Sequence, residues 1–213
     1  KNQSPVNILN KKSVGTTSLP GFDVRYRDVP LKIINNGNSI QVNYPLGSYI
    51  ELNNKRFHLL HFNFRTPSEH QLDGFNYPME MQVTHKDSEG NLVIIAIVFI
   101  EGKGNLALHD ILRKLPKDVG KEHLHEKIII NPSRFFPAEK KFYKYTGSLT
   151  TPPCSEGVYW VVFKRTMEAS ASQIARMHSL LGDNNRPVQK IHGRTILKSW
   201  PDRSTVEERY EFN

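Results

Sequence analysis

Polar side chains alternate with aromatic ones at the start of segment 61–85, and their spacing could build a cleft for a metal ion or a small ligand. Asn63 and Arg65 fall on one face of a predicted strand, because residues two apart in a β-strand point to the same side. After a turn-rich link, Glu80 and Gln82 share a face of a second predicted strand in the same way. The pattern therefore predicts that two neighbouring strands direct these four side chains into one polar cleft.

The composition is that of a folded, basic protein. The chain has 213 residues, of which 38% are apolar, and this predicts a single domain over 1–213 with a sizeable core. No apolar run reaches the roughly eighteen residues that a membrane helix needs, so no membrane span is predicted. The formal net charge of +8 favours anionic partners. Nucleic acid is not a predicted partner, because the sequence has no known nucleic-acid module and no aromatic residues interleaved with the basic ones.

The elements around the cleft are predicted to be mostly strands. Strands are predicted at 31–34, 39–44, 48–52, 57–64, 77–85, 91–100, 128–130, 143–148 and 158–163. One helix is predicted over 105–115. A second begins after Ser170, with Gln173 completing a capping box, and ends before Gly182. The pattern predicts a mainly β fold (α+β with few helices) built on an antiparallel-rich sheet.

Several motifs, in order along nearly the whole chain, resemble the α-class carbonic anhydrases in their compact, bacterial-like form. They are Gln-Ser-Pro-Val-Asn-Ile at 3–8, Thr-Pro-Ser-Glu-His at 66–70, Tyr-Pro-Met-Glu at 77–80, Gly-Ser-Leu-Thr-Thr-Pro-Pro-Cys at 147–154 and Asn-Arg-Pro-Val-Gln at 185–189. The resemblance implies an α-carbonic anhydrase-like fold. Its centre is expected to be a twisted, mostly antiparallel sheet of about ten strands.

The resemblance places the three zinc histidines of the family at Asn63, Arg65 and Gln82, none of which is a histidine. Catalytic zinc needs imidazole or carboxylate ligands and an open position for water. Amide oxygens are poor zinc ligands, and Arg65 only donates hydrogen bonds and is permanently positive. The family's proton-shuttle histidine corresponds to Asn38, whose amide does not titrate. The prediction is therefore a protein without a metal or other cofactor and without carbonic anhydrase activity.

Residues that support the zinc site in the family are retained. The resemblance makes Thr150 the residue whose hydroxyl bonds Glu69, and Glu80 the carboxylate that orients the third histidine. With no histidine to orient, Glu80 is a buried acid that needs a partner, and Arg65 is the predicted one. As an alternative, Arg65, Thr150 and Thr151 are predicted to bind a small anion such as bicarbonate or a carboxylate.

Other histidines offer little chemistry. His61 is placed at the cleft, whereas His58 and His85 are predicted to have structural roles. His123 and His125 lie two residues apart in what is predicted to be a basic loop, where they could hold a surface metal ion. None of these patterns predicts a complete metal site.

A basic run between residues 113 and 144 holds nine Lys and Arg residues against four acids, and so supplies five of the eight net charges. It predicts either an ordinary solvated face or a surface for acidic glycans, such as glycosaminoglycans, or for an anionic cell surface. The candidate polyanion-binding residues are Lys114, Lys117, Lys121, Lys140, Lys141 and Lys144.

These observations together predict a non-catalytic carbonic anhydrase-like binding or adhesion module. The alternatives are an enzyme with a displaced metal site near His61 or a residual hydrolytic activity, and a structural or storage protein. In the resembling bacterial enzymes, the cysteine at the position of Cys154 bonds one shortly before the Gln-Ser-Pro motif. The resemblance thus implies a partner upstream of Lys1, a missing N-terminal flank, and export to the periplasm, the cell surface or the medium.

Overall fold

The computed structural model describes residues 1–202, so part of the predicted domain, 203–213, lies outside the described residues. The strands are β1 (Asn7–Ile8), β2 (Val14–Gly15), β3 (Phe22–Arg25), β4 (Val29–Asn35), β5 (Ile40–Asn43), β6 (Tyr49–Leu52), β7 (Lys55–Arg65), β8 (Gln71–Leu72), β9 (Phe75–Asn76), β10 (Met79–Lys86), β11 (Leu92–Glu101), β12 (Glu122–Ile130), β13 (Phe142–Ser148), β14 (Glu156–Phe163), β15 (Met167–Ala169) and β16 (Leu197–Lys198). The helices are α1 (Leu106–Leu112) and α2 (Ala171–Leu181), with short 3-10 helices at Asn10–Lys12 and Pro132–Phe135.

One thirteen-stranded sheet forms most of the described molecule. Its main path runs β12-β4-β5-β7-β10-β11-β14-β13-β16-β2, while β6 and β3 extend from β7, and β15 pairs with β11. Most neighbours are antiparallel, and the parallel pairs are β11–β14, β11–β15 and β16–β2. The mainly β fold is therefore confirmed. The sheet has more strands than expected because strands as short as β2, β15 and β16 have no detectable periodicity.

Strand β11 separates two hydrophobic cores. Val93, Ile95, Ile97 and Phe99 pack into the larger core, and the alternate residues Ile94, Ala96 and Val98 pack into the smaller one. A strand that is covered on both faces has a continuous apolar sequence rather than an alternating one. This explains why the run in β11 is the longest apolar stretch of the chain.

The predicted helices both form, with one difference in length. α2 has the expected capping box between Ser170 and Gln173 and ends at Leu181, just before Gly182, whose φ is +59°. α1 is capped by Asn105 but ends at Leu112, three residues before the predicted end. The Lys114 N–H bonds the Ile111 carbonyl in the tighter i→i+3 pattern that is common at helix ends. Neither helix of residues 1–202 has the length and apolarity needed to cross a membrane.

Tight turns fix the register of the strands that carry the cleft. Gly37 (φ +86°) lies in the turn between β4 and β5, as its sequence predicts. Asn53 and Asn54 have φ values of +51° and +59° and join β6 to β7 in a two-residue hairpin. Both residues have a left-handed backbone conformation. A turn of this kind matches the twist of the flanking strands, and its positions favour asparagine or glycine. The register of β7 in turn positions the cleft residues that follow.

Candidate functional site

Strands β7 and β10 are antiparallel neighbours and bring the predicted cleft residues together. Asn63 lies opposite Gln82, and Arg65 lies opposite Glu80. On the other face of β7, the phenylalanines at 62 and 64 are fully buried in the larger core. Because that face is fixed by the core, the polar face must line the other side of the sheet.

The polar face opens into a cavity of about 580 Å³. Its walls come from β5 and the turn before it, from β7, β10 and β11, and from the segment after β13. The lining includes Asn38, His61, Asn63, Arg65, Gln82 and Thr150. Asn38 is exposed at the rim, whereas Arg65 and Gln82 are buried in the floor. Residues from positions 36 to 152 thus meet in one cleft.

The Gln82 side chain is held by the two carboxylates beneath it. Its Nε2 donates to Glu69 Oε2 at 2.7 Å and to Glu80 Oε2 at 2.5 Å. Carboxylates accept only, so both amide hydrogens are used and the orientation of the amide is fixed. The amide oxygen of Gln82, a residue that lines the cleft, takes part in neither bond.

Glu80 is fully buried, and its partner is His70 rather than the predicted Arg65. His70 Nδ1 lies 3.2 Å from both carboxylate oxygens, and the His70 backbone N–H donates to Oε1 at 3.0 Å. Burial alone would raise the pKa of Glu80, but the nearby His70 ring and its hydrogen bonds outweigh burial and lower it. The arrangement keeps Glu80 ionised without help from Arg65.

The His70 ring continues this contact into a buried polar chain. Its Nε2 lies 2.6 Å from the Tyr145 hydroxyl, which lies 2.9 Å from Ser4 Oγ. His70 had no assigned role in the sequence pattern, although it belongs to the Ser-Glu-His motif. Tyr145 is 75 residues from His70, and Ser4 is 141 residues from Tyr145, so local periodicity contains no signal for this chain of contacts.

Arg65 occupies the floor of the cleft with 4% of its surface exposed. Its Nε lies 3.7 Å from Glu69 Oε1, and its Nη1 donates to the backbone carbonyl of Asn184 at 3.3 Å and more weakly to that of Asn38 at 3.5 Å. The Nε atom has no hydrogen-bond partner within residues 1–202. Arg65 thus lies close enough to Glu69 for an ion pair, but its Nε–H donates no hydrogen bond there.

Among residues 1–202, Asn63 and Thr150 have few or no hydrogen bonds in the cleft. Asn63 Oδ1 is buried, and no donor reaches it from the described residues. Thr150 and Glu69 share no hydrogen bond, contrary to what the resemblance implied. The Glu69 carboxylate instead accepts from Gln82 Nε2 and from the Arg186 backbone N–H at 3.0 Å. Polar capacity therefore remains at Asn63, Arg65 and Thr150.

Comparison with known proteins identifies the family. The sequence model of the eukaryotic-type carbonic anhydrases matches residues 1–200. The chain belongs to the carbonic anhydrase family. A carbonic anhydrase of Nostoc sp. is 38% identical over 201 residues, covering 93% of this chain and 76% of that protein. One from Neisseria gonorrhoeae is 37% identical over 200 residues, covering 93% and 77%.

Solved structures agree with this assignment. The α-carbonic anhydrase of Thermovibrio ammonificans, solved with the inhibitor sulfanilamide, superposes with a TM-score of 0.88 at 38% identity. The match covers 92% of this chain and 86% of that one. The predicted α-carbonic anhydrase-like fold is therefore confirmed.

The remaining histidines of this carbonic anhydrase relative on β7 and β10 have mainly structural surroundings. His61 lies opposite Thr84 at the cleft, and burial lowers its pKa to about 4, so the ring is neutral at pH 7. His85 is buried against the Tyr26 hydroxyl, and burial lowers its pKa to about 3. His58 packs on Tyr49. In residues 1–202, no three His, Cys, Asp or Glu side chains are arranged to hold a metal ion.

The histidines at 123 and 125 lie on a strand and not in the predicted loop. Strand β12 starts at Glu122 and pairs with β4 at the edge of the sheet, and its polar alternation concealed it in the sequence. The two rings stack with centroids 6.4 Å apart, and His123 Nε2 lies 3.0 Å from Asp118 Oδ1. The Nε2 atom of His123 is therefore already hydrogen-bonded to Asp118.

The basic run does not form one surface. Lys114, Lys117 and Lys121 precede β12, whereas Lys140 and Lys141 precede β13. The strands β4, β5, β7, β10, β11 and β14 lie between β12 and β13 in the sheet.

Lys141, just before β13, and Lys144, within β13, already make contacts that reduce their availability to a ligand. Lys141 Nζ pairs with Glu139 at 2.7 Å, and Lys144 is half-buried over the Tyr159 ring, where burial lowers its pKa. Polyanion binding by the basic run stays a prediction. The lysines of the run are divided between β12 and β13, which six other strands separate.

Proposed function

We propose that this carbonic anhydrase family member does not hydrate CO₂ through zinc and that its cleft binds a small anion. The observation that carries the proposal is the Arg65 guanidinium, buried in the floor of the cleft 3.7 Å from Glu69. Any zinc ion beside Arg65 would be repelled by a cation that does not deprotonate at relevant pH.

The neighbouring residues do not supply zinc ligands either. Both amide hydrogens of Gln82 are bonded to carboxylates, and its remaining polar group is a neutral amide oxygen. Asn63 offers another amide oxygen. Catalytic zinc sites use imidazole, carboxylate or thiolate ligands. The residues at these three positions therefore do not fit the metal that the family implies.

Bicarbonate is the anion whose chemistry fits the cleft best. Arg65 Nε has no hydrogen-bond partner within residues 1–202 and can donate to a charged oxygen of bicarbonate, with the Thr150 and Thr151 hydroxyls on the wall as further donors. The amide oxygens of Asn63 and Gln82 can accept from its hydroxyl group. A simple carboxylate has no donor for these oxygens. The pattern of donors and acceptors thus favours an anion that carries one O–H group.

Zinc content and CO₂ hydration test the first part of the proposal. After incubation with excess zinc and desalting, the protein is expected to retain far less than one zinc per chain, because three ligands are missing. Its hydration rate should equal that of buffer. The Nostoc carbonic anhydrase, treated identically, is the positive control. Stoichiometric zinc together with sulfonamide-sensitive hydration would refute the proposal.

Anion titration tests the second part. Arg65→Gln is expected to weaken bicarbonate binding by about tenfold or more, because it removes a charged hydrogen-bond donor from a buried site. Arg56→Gln removes the same charge from an exposed position on β7 and should change the affinity less than twofold. Acetate should bind the parent more weakly than bicarbonate does. Equal effects of the two substitutions in calorimetry would mean that the cleft is not the binding site.

A further inference from the structure

A second cavity, of about 640 Å³, shares no lining residue with the cleft. Lys141 directly precedes β13, Lys164 directly follows β14, and Lys198 ends β16. Because β13 is antiparallel to both β14 and β16, the strand register brings these three lysines to the same end of the sheet. Lys11, on the short helix Asn10–Lys12, adds a fourth ammonium group to the walls, and Trp200 forms an aromatic wall. We call this the lysine cavity.

The lysine cavity has more positive than negative charge among the described residues. Lys198 is buried, with 8% of its side chain exposed, and its Nζ lies 2.6 Å from Asp202 Oδ1. Lys141 is paired with Glu139. Lys11 and Lys164 have no ion-pair partner within residues 1–202, and Lys164 Nζ lies 4.7 Å from the centre of the Trp200 ring. Among the described residues, two ammonium charges at the cavity are therefore not directly paired with a carboxylate.

Clustered like charges repel one another, and an anion relieves that repulsion. Lysine ammonium groups only donate hydrogen bonds, so they suit a ligand that is rich in acceptors. A sulfate or phosphate ester has several acceptor oxygens, and up to two negative charges can match Lys11 and Lys164. The indole of Trp200 provides an apolar surface for the carbon skeleton of a sugar.

We infer that the lysine cavity binds a tetrahedral oxyanion of the sulfate or phosphate class, carried on a sugar. Of the lysines of the basic run 113–144, only Lys141 lines it, so the site is assembled from four distant segments and not from that run. The lysine cavity is separate from the cleft, so its ligand can be measured without bicarbonate or zinc.

Titration of the full chain with glucose 6-sulfate and with inorganic sulfate, followed by tryptophan fluorescence, tests the inference. Trp200 lines the cavity, whereas the other tryptophan, Trp160, is fully buried in the smaller core and should not respond. A saturable signal with one site per chain is expected. Tighter binding of the sugar sulfate would identify the ester as the ligand, and tighter binding of inorganic sulfate would overturn the sugar part of the inference.

Two charge-matched double variants separate a site from general attraction. Lys11→Gln with Lys164→Gln removes the two exposed lysines of the cavity that have no ion-pair partner within residues 1–202, and should weaken sulfate binding by about tenfold or more. Lys117→Gln with Lys121→Gln removes two exposed lysines near β12 and should change it less than twofold. Melting temperatures verify that both variants fold. Equal weakening in both, or a fluorescence signal that never saturates, would overturn the inference.

Discussion

Replacing Asn63, Arg65 and Gln82 together by histidine is expected to create a site that binds one zinc ion per chain. The register of β7 and β10 already places position 63 opposite position 82, with position 65 on the same face of β7. Glu80 remains beside position 82, where a carboxylate can orient an imidazole. The affinity for zinc should rise at least about a thousandfold over the parent, because three ligands are supplied at once.

Calorimetry and metal analysis measure this gain. Zinc binding by the triple variant should fall as the pH drops below about 6.5, because imidazole must be neutral to bind metal. Arg65→His alone is the control, since it removes the positive charge and leaves two ligands missing. A triple variant that folds as the parent does but binds no zinc would mean that the three positions do not converge on one point.

Replacing Glu80 by alanine is expected to lower the free energy of unfolding by about 3–5 kcal/mol. The substitution leaves the His70 backbone N–H, the His70 ring and the Gln82 amide without their buried acceptor. An exposed acid, Glu89, is the matched control, and Glu89→Ala should change stability by less than about 0.5 kcal/mol. Urea unfolding at pH 7 measures both. A loss below about 1 kcal/mol at Glu80 would contradict the view that its three partners depend on it.

The pH dependence of this effect has a defined sign. The folded-state pKa of Glu80 is lowered, so ionised Glu80 contributes stability that is fully present above its unfolded value of about 4.5. That contribution is lost as the pH falls from 4.5 through the folded pKa. The stability difference between the parent and Glu80→Ala should therefore be constant near neutral pH and shrink below pH 4.5. A difference that grows on acidification would exclude an ionised Glu80.

Local sequence determined much of the fold and the composition of the cleft. Two-residue periodicity placed Asn63 and Arg65 on one face, and the capping box between Ser170 and Gln173 predicted the start of α2. These features depend on residues within about four positions of one another, so a single sequence contains them in full. A strand in which most side chains are polar, such as β12, is predicted too short, because its pattern resembles that of a solvated loop.

Tertiary structure alone decided which charged groups meet. The sequence predicts an ion pair between Glu80 and Arg65. In the folded chain Glu80 instead contacts His70, and Arg65 lies beside Glu69. The lysine cavity likewise joins segments near residues 11, 141, 164 and 198, which no local pattern connects. The physical reason is that a buried charge is stabilised by whichever partners the packed sheet brings within about 4 Å, and that choice depends on strand order and register over the whole chain.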